Sequence, residues 1–466
     1  VSEKLEAAKV NLDRGEMDAA ISNLLEHLNG DPLDEAALMM LGAAFISKGQ
    51  TGIAIALTRQ AIEIRGKRGR TFPEALTNLG TAFKMENRNE AAAEIWSMAL
   101  ECEDVPSERA KILCNLGSCF VHEGKPAQAV KYYDEAMRLS SDMPEAAYNR
   151  SLAYLEQGRW REGWQGYHAG FKTQHRPARR YVGVPEWDGT PGQTVIVWGE
   201  QGVGDEILFA SCLPDMIRTC KRVILDCHPR LEATFKRSFP GVEVHGTRKQ
   251  LNDLRWMDNC DADASICISS LPMFFRNSDA SFPGTAYLNA GTELSPASFN
   301  RMPLPGRPIR IGISWAGGTK KTRSDLRSIP LPEFAGLIGS IDADRYSLQY
   351  TDTAAREVCE LEETTGLHLR HYPGRVQCRD YDKTMSFIAS LDLVITVCTT
   401  AYHAAGALGV PVWCLVPSKP AWRYADKGQL WYGSARFFRQ APDEEWSAVL
   451  ARVQDALAEK FARRAA

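Results

Sequence analysis

Residues 393–417 read LVITVCTTAYHAAGALGVPVWCLVP, with no acidic or basic residue apart from His403. Length and apolarity alone would allow a membrane span. Its internal punctuation argues for another reading: the Thr399-Thr400 pair, Gly409 and Pro411 cut it into strand, short helix and strand, each of ordinary core length. Working outward, the same alternation continues on either side. After RMPLPGRP (301–308) come IRIGISWAG, a helix over 332–341, RYSLQY, a helix over 354–365, DLVITV, a helix over 400–408 and VPVWCLV. An earlier series runs TVIVWG, a helix over 205–220, RVILDCH, a helix over 229–238, VEVHG and ADASICISS. Two successive βα series imply two Rossmann-like halves with parallel sheets. Ligands bind such sheets at the carboxyl edges of the strands, and here those edges should face a shared cleft.

The first third follows another rule. Gly15, Gly49, Asn87, Gly124 and Gly158 stand at equivalent turns, separated by 34, 38, 37 and 34 residues. Phe45, Phe83, Phe120 and Tyr154 each precede a turn by four residues, and Leu-Gly pairs at 41–42, 79–80 and 116–117 put a small residue where helices must approach closely. This pattern resembles the tetratricopeptide repeat, about five times over, and predicts an all-α superhelix with a concave face suited to an extended ligand. Asn78, Asn115 and Asn149 share one repeat position, as do the ladder asparagines inside the repeat superhelix of the protein O-GlcNAc transferases. The resemblance implies that they hold an acceptor peptide's backbone, one donor and one acceptor per rung. The plainer reading is a common helix-surface asparagine, and Met40 interrupts the ladder. The Pro/Gly-rich VGVPEWDGTPGQ reads as a linker. The expected domains are therefore 1–172 (repeats), 173–194 (linker), 195–304 (first α/β half) and 305–466 (second half with a C-terminal helix).

A net charge of −3 gives no global pull toward nucleic acid or membrane. The twelve cysteines are scattered, without a CxxC pair, and several sit in apolar runs, which suits buried thiols in a reducing cytoplasm. The N-terminal VSEKLEAAKVNLDRGE is charged and helical rather than secretory. Nine histidines without ligand spacing predict no metal site.

The stretch VWGEQGVGDEILFAS, 197–211, is a glycine-rich strand-to-helix turn. It lacks the Gly-Lys-Ser/Thr of a P-loop, and the spacing of Gly199, Gly202 and Gly204 reverses the dinucleotide fingerprint. Taken with PEWDGTP, SWAGG and its downstream RSIPL, DLVIT-CTTAYHAAGALGVPVW and PAWRY, it resembles the glycosyltransferases related to the heptosyltransferases, in particular a bacterial branch with tetratricopeptide repeats ahead of the catalytic part. The resemblance spans nearly the whole chain. It implies a GT-B fold, inverting transfer without metal or cofactor, and a nucleotide-sugar donor held mainly by the second half. Asp205 matches the family's proposed catalytic base, and a helix N-terminus would keep its carboxylate ionised. Gly202 and Gly204 would let acceptor and backbone approach. The alternative makes Asp205 a helix cap, with Glu206 supporting the first turn.

On the donor side, Thr399 and Thr400 open a helix whose N–H groups suit a leaving diphosphate, with His403 adding a hydrogen bond. Where the family has an acidic residue this chain has Cys398, which leaves the sugar open; with no activating base evident, its thiol is not expected to act as a nucleophile. Trp315, Gly317 and the basic loop GGTKKTRSDLRS, with Lys320, Lys321, Arg323 and Arg327, should face the diphosphate. The bland reading of that loop is a solvated charged surface. Arg423 is a further donor candidate, and Trp422 a packing residue.

The leading expectation is a cytoplasmic enzyme moving a sugar from a nucleotide donor to a protein Ser or Thr recruited by the repeats. A second places the acceptor on a glycan, lipid-linked sugar or nucleic acid, the last disfavoured by net acidity. A third is a non-catalytic repeat scaffold on a degenerate transferase domain.

Overall fold

The computed structural model describes residues 3–69, 71–248, 254–291, 308–318, 324–340, 342–377 and 380–465. The chain divides into two compact units, Val1–Tyr154 and Leu155–Ala466.

In the first unit, paired helices repeat: α1 (Glu3–Asp13) and α2 (Met17–Gly30), α3 (Glu35–Ser47) and α4 (Thr51–Lys67), α5 (Pro73–Met85) and α6 (Asn89–Cys102), α7 (Pro106–His122) and α8 (Pro126–Leu139), then α9 (Pro144–Glu156). Gly15, Gly49, Asn87 and Gly124 all have φ between 61° and 75°, the left-handed turn that the sequence period implied. Proline pre-sets the first turn of α5, α7 and α8. The Leu-Gly pairs work as expected. A Cβ on Gly80 would lie 2.5 Å from the Trp96 indole, and one on Gly117 would lie 2.7 Å from the Tyr133 ring. Trp96 and Tyr133 are buried and fill the layer between the helices of their pairs.

The second unit holds two parallel sheets. The first is ordered β3-β2-β1-β4, from β1 (Thr194–Trp198), β2 (Arg222–Asp226), β3 (Val242–His245) and β4 (Ala264–Cys267). The second is ordered β10-β9-β8-β5-β6-β7, from β5 (Ile309–Ser314), β6 (Ala343–Ser347), β7 (Arg370–His371), β8 (Leu393–Val397), β9 (Val412–Val416) and β10 (Ala435–Arg439). β1, β8 and β9 are buried throughout, as continuous apolar runs require. The stretch 393–417 is thus β8, the helix Thr400–Ala407 and β9, and no helix among the described residues is long and apolar enough to cross a membrane.

Two sequence expectations need correction. The segment 173–194 is not a free linker: Arg176, Tyr181 and Trp187 are buried. Its backbone pairs with β4, Trp187 N–H donating to the Ser265 carbonyl at 3.0 Å and Ser265 N–H to the Pro185 carbonyl at 2.8 Å. Turn-forming composition hid three anchoring side chains. The repeat region also ends earlier than 172. Helix α10 (Trp160–Tyr167) belongs to the second unit, where Trp164 packs against Phe209, Trp422 and Trp431. The expected boundary at 304 falls outside the described residues. β7 and β10 were absent from the sequence reading; β7 has two residues, and the ARFFR of β10 carries arginines at its second and last positions.

Candidate functional site

Counting strands within the second sheet, the order is 3-2-1-4-5-6, so its direction of growth reverses between β5 and β8. In the first sheet the same reversal lies between β1 and β4. Neighbouring loops diverge at such switch points and leave a crevice at the carboxyl edge. The loops after β1, β5 and β8 meet there in one cleft of about 370 Å³, lined by Gly202, Gly204, Asp205, Gly318, Tyr350 and Thr400, with Arg327, Cys398, His403, Arg423 and Tyr424 completing its wall. A small recess beside it adds Lys419. Among the described residues, the cleft and its recess together carry three cationic side chains, Arg327, Arg423 and Lys419, to the Asp205 carboxylate.

Asp205 lies in the first turn of α11 (Val203–Phe209). Its Oδ2 accepts from the Gly202 N–H at 3.2 Å, and its Oδ1 is 2.6 Å from Arg423 Nη2. It is both a cap and a cleft carboxylate, so the two sequence readings are not exclusive. Gly204 serves a closer purpose than expected: a Cβ there would meet the His403 ring at 3.2 Å and Thr400 Oγ1 at 3.3 Å, so its absence lets α11 close on the helix Thr400–Ala407. Glu206 does more than support the first turn. It is fully buried, accepts from His228 N–H at 2.8 Å and pairs with Arg248. Burial pushes its carboxyl up to about 7 against the opposing pull of Arg248 and the His228 N–H.

Thr399 caps the Thr400–Ala407 helix, its Oγ1 accepting from Ala401 N–H at 3.3 Å. Thr400, half-buried, presents its hydroxyl toward Gly204 and the cleft. Gly317 lies where a Cβ would collide with the Thr399 methyl, which brings the turn after β5 against the turn after β8. Arg327 donates to the Cys398 carbonyl at 2.9 Å, fixing one cation at that junction. The Cys398 thiol points away into the core, 3.9 Å from the Cys414 sulfur.

Two expected donor ligands are differently employed. Trp315 belongs to the core of the second sheet; its indole donates to Glu357 Oε2 at 2.5 Å rather than into the cleft. His403 is enclosed, with Nδ1 3.0 Å from the Tyr432 hydroxyl and Nε2 2.9 Å from the Tyr424 hydroxyl. Burial lowers its pKa to about 3, with the Asp205 carboxylate opposing, so the ring is neutral and both nitrogens are engaged. It shapes the wall without offering a hydrogen bond to a ligand. Lys320, Lys321 and Arg323 lie outside the described residues.

Sequence reasoning missed Gln349, Tyr424 and Gln201. Gln349 is fully buried and staples the turn after β5, its carbonyl accepting from Trp315 N–H at 3.2 Å and Ala316 N–H at 3.1 Å while its amide donates to the Ala316 carbonyl at 2.9 Å. Gln201 has φ 55°, a left-handed conformation unusual for a residue with a Cβ. Neither the EQG around Gln201 nor the SLQY around Gln349 hinted at these roles.

In the repeats, Asn78, Asn115 and Asn149 sit half-buried on α5, α7 and α9. Asn78 Nδ2 lies 3.2 Å from the Met39 sulfur, and Asn149 bonds the Cys114 thiol. Two of the three amides thus contact the first helix of the preceding repeat.

A tetratricopeptide-repeat family model matches residues 110–143. Protein FlbA of Caulobacter vibrioides is 25% identical over 439 residues, covering 82% of this chain and 72% of its own length, a share that neither unit alone could supply. Photosystem I assembly protein Ycf3 of Rippkaea orientalis is 29% identical over 79 residues, 17% of this chain and 46% of that protein. The crystal structure of MamA protein is 21% identical, covers 36% of this chain and 88% of its own, and superposes with a TM-score of 0.31.

Proposed function

We propose that the second unit is a GT-B glycosyltransferase related to the heptosyltransferases, inverting and metal-independent, that moves a sugar from a nucleotide donor to a Ser or Thr of a protein recruited by the repeats. The observation that carries this reading is the meeting of Asp205 with Arg327, Arg423 and Thr400 where both sheets reverse. A diphosphate fits the cationic side: Arg327 and Lys419 face it with the N–H groups that open the Thr400–Ala407 helix. The acceptor hydroxyl oxygen attacks the anomeric carbon from the face opposite the nucleotide. Asp205 takes the hydroxyl proton, and the nucleoside diphosphate leaves with the bonding electron pair. Arg423 is shared between Asp205 and the diphosphate oxygens.

One observation favours a non-catalytic scaffold instead: both Asp205 oxygens already have partners within the fold. A carboxylate retains further lone pairs, so these bonds leave room for an acceptor hydroxyl. The deciding experiment screens nucleotide sugars for a concentration-dependent rise in melting temperature, then follows turnover with the selected donor. Asp205→Asn, which keeps the shape of the cap, should lower turnover by about 10²- to 10⁴-fold with donor affinity little changed. Undiminished turnover removes Asp205 from the mechanism, and a panel without a single stabilising donor favours the scaffold.

A further inference from the structure

Arg423 is held from several sides. Its Nη2 lies 2.6 Å from Asp205 Oδ1 and donates to Gln201 Oε1 at 3.2 Å, while its guanidinium lies over the Trp422 ring at 5.0 Å. Gln201 is itself fixed at both ends of its side chain and at its carbonyl: its amide donates to the Tyr167 hydroxyl at 2.7 Å and to Glu200 Oε1 at 3.4 Å, and its backbone carbonyl accepts from Arg248. Glu200 is buried beneath it in a network with Arg176 and Ser269. Tyr167 is buried on α10, its ring packed edge-on against Trp164 and Trp422. Glycine would take the backbone conformation of residue 201 without strain, whereas a glutamine there pays for it and brings a side chain that bonds on both sides. An amide suits the position because one end accepts from a guanidinium while the other donates to a phenol.

We propose that Tyr167 and Gln201 form a positioning relay that keeps Arg423 aimed into the cleft when Asp205 turns to the acceptor's proton. The functional weight of the relay rests on the reading of this cleft as a donor site. Asp205 alone cannot serve as both proton acceptor and sole anchor of the arginine; Gln201 supplies the second anchor. Tyr167 reaches it from α10, the second helix of the fifth repeat in sequence, so the segment that closes the repeat pattern contributes a hydroxyl to the arginine's support.

Labelling of the full chain with phenylglyoxal, with Arg423 and Arg327 read separately by peptide mass spectrometry, tests the relay without any ligand. Tyr167→Phe keeps the packed ring and removes the hydroxyl. It should speed labelling of Arg423 about three- to tenfold, the scale of one hydrogen bond, and leave Arg327 unchanged. Gln201→Ala should do at least as much, and it carries the test alone if Tyr167→Phe fails to fold. Unchanged labelling of Arg423 overturns the relay. Equal acceleration at both arginines overturns it too, because that is a loosened fold rather than a lost anchor. Inorganic pyrophosphate in the wild-type reaction should protect both arginines. Failure of that arm removes the donor-site reading, while the ligand-free rates still decide the relay.

Discussion

Between pH 6.5 and 3 the unfolded chain takes up a proton at His403 that the folded chain refuses, because burial lowers the ring's pKa to about 3. A depressed native pKa means that stability is fully present above the unfolded value and falls as pH drops through this window, by up to about 1.4 kcal/mol per pH unit. Glu206 has the opposite sign: with its native pKa raised to about 7, its contribution is present below 4.5 and lost as pH rises. A comparison of wild type with His403→Gln cancels the Glu206 contribution. Urea unfolding followed by tryptophan fluorescence reports on the second unit, since Trp96 is the only tryptophan before residue 155. From pH 7 to pH 4.5 the wild type should lose on the order of 2 to 3 kcal/mol more than the variant. Parallel pH profiles would mean that His403 titrates normally in the folded chain.

At the scale of elements, a close-approach repeat glycine and an open helix glycine should respond oppositely to alanine. Gly80→Ala drives a methyl into the Trp96 indole, whose Nε1 also donates to the Thr77 carbonyl at 3.0 Å, and should destabilise the first unit by about 1 to 3 kcal/mol. Gly52, inside α4 with nothing within 4 Å of its would-be Cβ, should gain up to about 1 kcal/mol from the same change. Thermal melts by circular dichroism that moved both variants in one direction would refute the close-approach reading. Gly80 and the turn glycines were legible because their spacing is local: a turn every repeat and a small residue two turns before it. The strand runs were legible for the same reason, and they brought Asp205, Thr400, Arg327 and Arg423 to one edge. What could not be read was partnership. The WREGW of α10 has a helical apolar face like its predecessors, and nothing in its period says that the face closes on Trp422 and Trp431 instead of another repeat. His403 looked like a ligand because sequence does not reveal two tyrosines waiting 21 and 29 residues downstream.

At the scale of the whole molecule, the division between Tyr154 and Leu155 sets where the chain can be cut. A fragment beginning at residue 155 keeps Trp160, Trp164 and Tyr167 over the aromatic cluster and should fold with a cooperative melt. One beginning at 173 uncovers Phe209, Trp422 and Trp431, each able to bury on the order of 150 to 250 Å², and should melt lower or aggregate. Equal melting temperatures for the two fragments would show that α10 is dispensable. The same packing has a consequence in time. Trp164 is translated about 260 residues before Trp422, so at roughly 5 to 20 residues per second this one of its partners is missing for roughly 13 to 50 seconds. Phe209 follows Trp164 by only 45 residues, but throughout that interval the side of the indole that meets Trp422 and Trp431 stays uncovered on the nascent chain. Synthesis itself therefore creates a timed opening for chaperones, or for the same uncovered indole face on a neighbouring nascent chain of the polysome.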